Sequence, residues 1–550
     1  MDVLAENVIT VNLSSDAAAA SANWSKLNAA LITADGVNPI TVRIAGNGIY
    51  PVSQIIFVRS KTTFDLNGCT IKHVSSFSNN LIRNCKVGVN VVNNVSNREL
   101  YTASDYWLST DITIKNGTID GRADAGSHNL VNIGNATNVI FSNMKFMNNM
   151  QGHLVELTGC KNSTVEKCEF SCTVKDTTGE NEALQLDICA YKERKWNGVY
   201  YTEDIKQQLP CVGITVKGCL FKNYPSGVGN HHAISTILKS SSSFDTKYHN
   251  KNIIIQNNRF ENTVKMTKNR AIWAYDFEES TISENYITGE YTYGIVASAG
   301  NVDICNNTFG TANKKFSGVP IYITIAHPYL TSDLLPHTDV EETLSGGHID
   351  DNECYSDYNS SSEFGLITVK NASKVFSVSR NKIHGSLWHG VFITKSYVSG
   401  GVANNIINDC TQQGILVCAK SQIERNIDGN TITGNSKSGI AITSSEIVGK
   451  IMKNSVSKCK SNGIHIGTDG IAKNITDNTI NTCKNGIYCG ENGTIASVTD
   501  NKISNCTNYG ILCHNTTLSG KIKATGNTFS QNKKYFWNLR NCTLYSLTNL

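Results

Sequence analysis

Short apolar strands return along this chain with the regularity of a repeat. In the C-terminal half a glycine precedes an apolar strand at Gly365, Gly390, Gly414, Gly439, Gly463, Gly486 and Gly510, at spacings of 25, 24, 25, 24, 23 and 24 residues. A second marker, Asn-x-Ile/Val/Phe, falls at Asn381, Asn405, Asn430, Asn454, Asn478, Asn501 and Asn527. Two independent markers on one period mean stacked copies of one small unit. A period in the low twenties, with two or three strands per turn, predicts a β-solenoid. Asn at the same turn of each unit predicts a ladder in which each amide bonds the next. Upstream, Ile40–Ile44, Gly48–Ser53 and Thr62–Ile71 alternate as short strands. Before them, Asp16 to about Asp35 is rich in Ala and Leu behind a plausible Asp16 N-cap, which predicts a helix covering the N-terminal end. The expected organisation is a helical cap over 1–39, a solenoid over 40–535 and a C-terminal cap over 536–550.

Traced backwards, the turn marker is held by Met144, Cys168, Cys219, Asn258, Asn285, Asn307 and Asn352, at gaps of 24, 51, 39, 27, 22 and 45 residues. Subtracting one unit of about 24 residues from the long gaps leaves insertions near 188–211, 238–250 and 326–347. All three follow the same strand of the unit. Insertions that share a face often build a binding cleft, and the first carries Tyr191, Trp196, Tyr200 and Tyr201. Tolerated surface loops are the plainer reading.

The repeat Gly-Ile-x-Ile with its Asn-x-Ile turn, together with the first rungs around Gly48 and Thr62–Ile71, resembles the right-handed parallel β-helix superfamily of pectate lyases, polygalacturonases and tailspike proteins. The likeness covers roughly 40–535. It implies an all-β, single-stranded right-handed parallel β-helix with an N-terminal helical cap. It is weak for chemistry, because this fold hosts many activities. Polygalacturonases carry Asn-Thr-Asp, paired Asp, Gly-His-Gly and Arg-Ile-Lys segments. Here Gly229-Asn230-His231-His232 is a faint echo, and Asp350-Asp351 sits in a turn of another rung. The Asp cluster that binds calcium in pectate lyases is not recognisable either. No cofactor is implied, calcium staying open, and no family residue role is carried over.

Composition narrows the class. The 550 residues carry a net charge of +4 and only 17% charged side chains, which argues against a nucleic-acid partner. No apolar run reaches the length of a membrane span, and Met1-Asp2-Val3 opens no visible signal peptide. Cys410, Cys459, Cys483 and Cys506, four of 18 Cys, hold one place in successive repeats. They read as stacked small buried residues in preference to disulfides. An extracellular or bacterial cell-surface setting is expected, with a reducing cytoplasm as the alternative that so many thiols suggest. The apolar segment from Tyr535 closes the last rung or meets another subunit, which leaves a homo-oligomer open.

Candidate chemistry concentrates between 153 and 276. The inward pairs Val131/Ile133, Val155/Leu157, Leu184/Leu186, Ile234/Thr236, Ile272/Ala274 and Ile295/Ala297 align the rungs. Asn132, Glu156, Gln185, Ser235, Trp273 and Val296 then point outward between them, with Thr158, Asp187, Ile237 and Tyr275 just after. His153, Glu182, His232 and Arg270 occupy the corner before the strand. Rungs about 4.8 Å apart place Glu156 and Asp187 about 8 Å from each other, within the range of inverting glycosidases. Glu182 and His232, stacked directly at about 5 Å, could hold the proton of a general acid. Glu182 and Asp187 end one strand about 16 Å apart, so an acid and a base must come from different rungs. The expected catalytic group is Glu182, Asp187, Glu156, His232 and Arg270. The expected substrate-binding group is His153, Gln185, His231, Trp273, Tyr275, Asp276, Trp196 and Tyr200, with no metal ligand. Each has a duller reading as a solvated face residue, turn residue or corner salt bridge. The resulting expectation is an enzyme cleaving glycosidic bonds of a polysaccharide or oligosaccharide, by hydrolysis in preference to β-elimination. A non-catalytic adhesin or tailspike-like glycan binder and a sugar epimerase stand as alternatives.

Overall fold

The computed structural model describes residues 7–74, 80–88, 106–121, 129–149, 152–172, 181–191, 207–230, 250–263, 269–274, 277–297, 301–324, 346–357, 364–371, 375–386, 388–514, 522–538 and 544–545. They form two compact units, Met1–Asn285 and Tyr286–Leu550. Each is a parallel β-solenoid, as the period predicts. A typical turn of the second unit runs His389–Thr394, Tyr397–Ala403 and Ile406–Cys410. Each strand pairs in parallel with its counterpart one turn on, as Val391 with Ile415 and Ile407 with Ile432. Buried Ile and Val repeat at the inward positions of every turn. In the first unit Phe146, Phe170, Phe221 and Phe260 stack ring on ring at 5.3, 4.7 and 4.7 Å. Identical side chains at identical register positions pack this way because the rungs repeat at strand spacing.

The Asn ladder is present and buried. In the second unit the side-chain oxygen of Asn454 accepts from the backbone and side-chain N–H groups of Asn430, at 3.0 and 2.9 Å. The Asn454 amide donates to the Ile427 carbonyl and to the Asn478 side chain, both at 2.9 Å. The same bonds recur at Asn381, Asn405 and Asn478. The residue before each ladder Asn turns the corner with positive φ, as Asn404 at 56° and Lys453 at 54°. A second turn holds Cys410, Cys459, Cys483 and Cys506, all buried. Sixteen of the described cysteines, these four among them, are free thiols, so stacking and not cross-linking explains their recurrence. Burial pushes the Cys506 thiol up to about 12.

The N-terminal cap forms where the Asp16 cap predicts it. Asp16 accepts from the Ala18 N–H at 2.9 Å, and the helix Ala20–Leu31 follows. Three of its side chains satisfy the first rung. Asn23 donates to the Pro51 carbonyl at 3.0 Å and Trp24 to the Ile55 carbonyl at 2.8 Å. Asn28 donates to Ile55 and accepts from the Phe57 N–H at 2.9 Å. The cap thus bonds a strand edge that would otherwise be open. At the other end, Lys534–Asn538 still pairs with Tyr509–His514, so rung structure runs past the expected boundary at 535.

The insertions mostly lie outside the described residues. The first starts as a ribbon, Cys189–Tyr191 paired antiparallel with Gln207–Leu209. The second, expected over 238–250, and the third, expected over 326–347, lie almost wholly outside the described residues. All three leave from strands of the same kind, those ending Asp187, Asn230 and Thr324.

Two stability predictions follow from the packing. Replacing Asn454 by Leu strands the Asn430 N–H and the Ile427 carbonyl and removes one of the two donors to the Asn478 side-chain oxygen. Unfolding free energy should fall by about 2–3 kcal/mol, read from denaturant melts. His389 is buried, and that burial lowers its pKa from 6.5 to about 4, with Lys437 adding repulsion. The unfolded chain therefore binds a proton there that the folded chain refuses. The stabilisation is complete above about pH 6.5 and is lost as pH falls towards 4, amounting to about 3 kcal/mol. His389→Leu should remove this slope from the pH dependence of the melt.

Candidate functional site

Five strands of one sheet in the Met1–Asn285 unit carry the polar residues. They are Asn129–Gly134, His153–Thr158, Glu182–Asp187, Ser226–Asn230 and Arg270–Ala274. The register pairs Asn132 with Glu156 and Glu156 with Gln185, then Gln185 with Gly229 and Gly229 with Trp273. Arg83 precedes Asn132 in this column. A second column at the corner runs Asn129, His153, Glu182, Ser226 and Arg270. Strand alternation puts the first column on the face opposite the Val155/Leu157 and Leu184/Leu186 core pairs.

Three expectations change here. The first concerns His232: the register neighbour of Glu182 is Ser226, and Val228, not Ile234, is the inward partner of Leu184. The pairing of Glu182 with His232 is therefore corrected, and Ser235 lies outside the described residues. The physical reason is the run Ser226-Gly227-Val228-Gly229, which reads as a turn but forms a strand. A Cβ on Gly227 would lie 2.3 Å from the Ala271 carbonyl oxygen. One on Gly229, whose φ is +143°, would lie 2.0 Å from that of Trp273. Only glycine fits under the next rung at either place.

The second change is exposure. Glu156 and Gln185 are each 2% exposed and Glu182 and Trp273 are 0% exposed. The face is covered, not an open cleft floor. Third, Trp273 is no free stacking platform, since the Arg270 guanidinium sits 3.8 Å from its ring centroid. Burial of so many polar groups is expensive unless each is paired or kept for use.

The pairing is specific. Glu156 Oε2 accepts from the Asn129 and Asn132 side-chain amides. Asn129 Oδ1 accepts from the His153 N–H at 3.0 Å. His153 Nδ1 lies 2.8 Å from the Glu182 carbonyl oxygen and 3.7 Å from Glu182 Oε2. An N–H at Nδ1 is what that carbonyl requires. The Arg270 backbone N–H donates to Ser226 Oγ at 3.1 Å. Asp187, 8% exposed, accepts from its neighbour Ile188 N–H at 2.8 Å. Thr158 is the register partner of Asp187, so Glu156 and Asp187 are diagonal neighbours. His231, His232, Tyr275, Asp276, Trp196 and Tyr200 lie outside the described residues.

Sequence reasoning missed Arg83, Asn129, Ser226 and Asn230. Arg83 was findable, because Ile82-Arg83-Asn84 obeys the same alternation as the later strands. Asn129 was not, since its role depends on reaching Glu156 one rung away.

The model described as "Right handed beta helix region" matches residues 426–549. A second, described as "Periplasmic copper-binding protein (NosD)", matches 337–471. With the topology above, the chain has the fold of the right-handed parallel β-helix superfamily. No curated protein sequence matches it. Among solved structures it is similar to PfbA, a surface adhesin of Streptococcus pneumoniae. Identity there is 15%, coverage 96% of this chain and 93% of that one, and the TM-score 0.36. A tailspike protein of E. coli bacteriophage HK620, in complex with a pentasaccharide, shows 12% identity over 92% of this chain and 74% of that one, at a TM-score of 0.41. Polygalacturonase from Erwinia carotovora ssp. carotovora shows 12% identity over 78% and 93%, at 0.36. Likeness at this level says nothing of chemistry. Among the described residues no three His, Cys, Asp or Glu side chains gather to hold a metal ion. His348 with Asp350 and His384 with Glu353 form separate pairs. Among the described residues, no helix is long and apolar enough to cross a membrane.

The fit of Gly229 under Trp273 is directly testable. Gly229→Ala should destabilise the protein by about 2–4 kcal/mol through the clash and the positive φ. Tryptophan fluorescence should shift as Trp273 leaves its buried position.

Proposed function

We propose that this protein cleaves glycosidic bonds of a polysaccharide or oligosaccharide at the polar sheet face of its Met1–Asn285 unit, by hydrolysis and not β-elimination. The observation that carries this reading is the set of three buried carboxylates, Glu156, Glu182 and Asp187, on two successive rungs. Buried carboxylates on a sheet face are costly and mark sites where charge is used. Glu156 and Asp187, one rung and two residues apart, have backbones separated by about 8 Å. That spacing leaves room for a water between an acid and a base on opposite sides of a sugar, the inverting arrangement. Glu182 Oε2, 3.7 Å from His153 Nδ1, favours a proton held on that ring. Arg270, held on Trp273, supplies a fixed positive charge to the same face. The substrate would be met outside the cell or at its surface.

Glu156→Gln, Glu182→Gln and Asp187→Asn test this on a panel of plant and microbial glycans. Release of reducing ends should fall by about 10²–10⁴-fold in the variants of the acid and base, with circular dichroism unchanged. Full turnover in all three variants would sink the proposal. Products absorbing in the unsaturated-uronate band would transfer it to elimination, and glycan binding without product would make the chain a binding protein.

A further inference from the structure

Of the buried polar atoms without a hydrogen-bond partner among the described residues, two lie on this face directly beside Glu156 and Asp187. They are Thr158 Oγ1 and Gln185 Nε2, both buried to less than 1 Å². Thr158 is 1% exposed and Gln185 2%. They are not scattered. Thr158 pairs with Asp187 and Glu156 with Gln185, so the four residues form a square of two adjacent rungs, all on one face. The square sets a hydroxyl and an amide donor diagonally between two carboxylates. Asp187 is its most exposed corner, at 8%, where the chain leaves into the ribbon Cys189–Tyr191. A buried donor left unsatisfied is a standing cost to the fold, so such groups are rare and call for a reason. Apolar residues of the same shape, Val for Thr and Met for Gln, would remove that cost.

We infer that Thr158 and Gln185 form a subsite for adjacent hydroxyls of a sugar ring, with Glu156 and Asp187 as flanking acceptors. The chemistry selects hydroxyls. The amide of Gln185 gives hydrogen bonds, the hydroxyl of Thr158 gives or accepts one, and the carboxylates accept. A ligand atom that is both donor and acceptor satisfies all four corners, whereas a carboxylate or phosphate would be repelled by Glu156 and Asp187. This inference rests on the carbohydrate reading above but not on cleavage. Neither Thr158 nor Gln185 titrates, so their part is recognition.

The test uses the full chain with Thr158→Val and Gln185→Met. The probes are hexasaccharides of β-1,4-linked glucose, xylose and mannuronate and of α-1,4-linked galacturonate, with binding read by calorimetry. The expected result has two parts. Without sugar, both variants melt higher than the wild type, because an unsatisfied group has been removed. With sugar, the wild type binds at least one hexasaccharide and each variant binds it about 10–100-fold more weakly. Variants that melt lower would mean bound water already satisfies the two groups, and would overturn the inference. So would variants that bind like the wild type, or a wild type that binds none of the four probes. Binding by the wild type without any product would defeat cleavage and leave this subsite standing. Unaltered binding by the variants defeats the subsite whatever happens to cleavage.

Discussion

The fixed step between rungs is the constraint on which everything else rests. Parallel pairing sets each residue about 4.8 Å above its counterpart, so whatever a position needs must be met by the same position one turn on. Apolar positions solve this by stacking, as the four phenylalanines of the first unit do. Polar turns solve it with Asn, whose amide both gives and accepts and so bonds its own kind without end. Where Asn is absent, sulfur stands in: the Cys168 N–H donates to Cys219 Sγ at 3.5 Å, and the Cys219 N–H to Asn258 at 2.9 Å. The helix Ala20–Leu31 is needed because the stack must stop, and its Asn28 bonds the strand edge as the next rung would have done.

The same constraint shapes the candidate site. A column of unlike residues cannot stack on itself, so each rung must fit its neighbours individually. Glu156 is held by amides from Asn129 and Asn132 of the preceding rung. The backbone of Trp273 lies so close over Gly229 that a Cβ there would meet its carbonyl oxygen at 2.0 Å. Arg270 closes over the ring it shares a strand with. The irregular columns lie on the strands after which the first two insertions depart, which separates a scaffold that repeats from a face that does not.

Periodic information was readable without coordinates, since it is written many times over. The spacing of Gly390, Gly414 and Gly439 and of Asn405, Asn430 and Asn454 determined the solenoid, its rung length and its ladder. The alternation of Leu184 and Leu186 with Gln185 and Asp187 determined which residues of that strand share a face. The Asp16 cap and the Ala-rich run after it determined the terminal helix. Only the tertiary structure decided which strand lies beside Glu182. Gly227 and Gly229 carry turn signals in sequence and strand geometry in the fold, because the reason for glycine there is the backbone of the next rung. Burial was decided the same way. Nothing in the local pattern tells a covered face from an open one, and the bonds from Asn129 to Glu156 and from His153 to Glu182 cross rungs that are 27 and 29 residues apart.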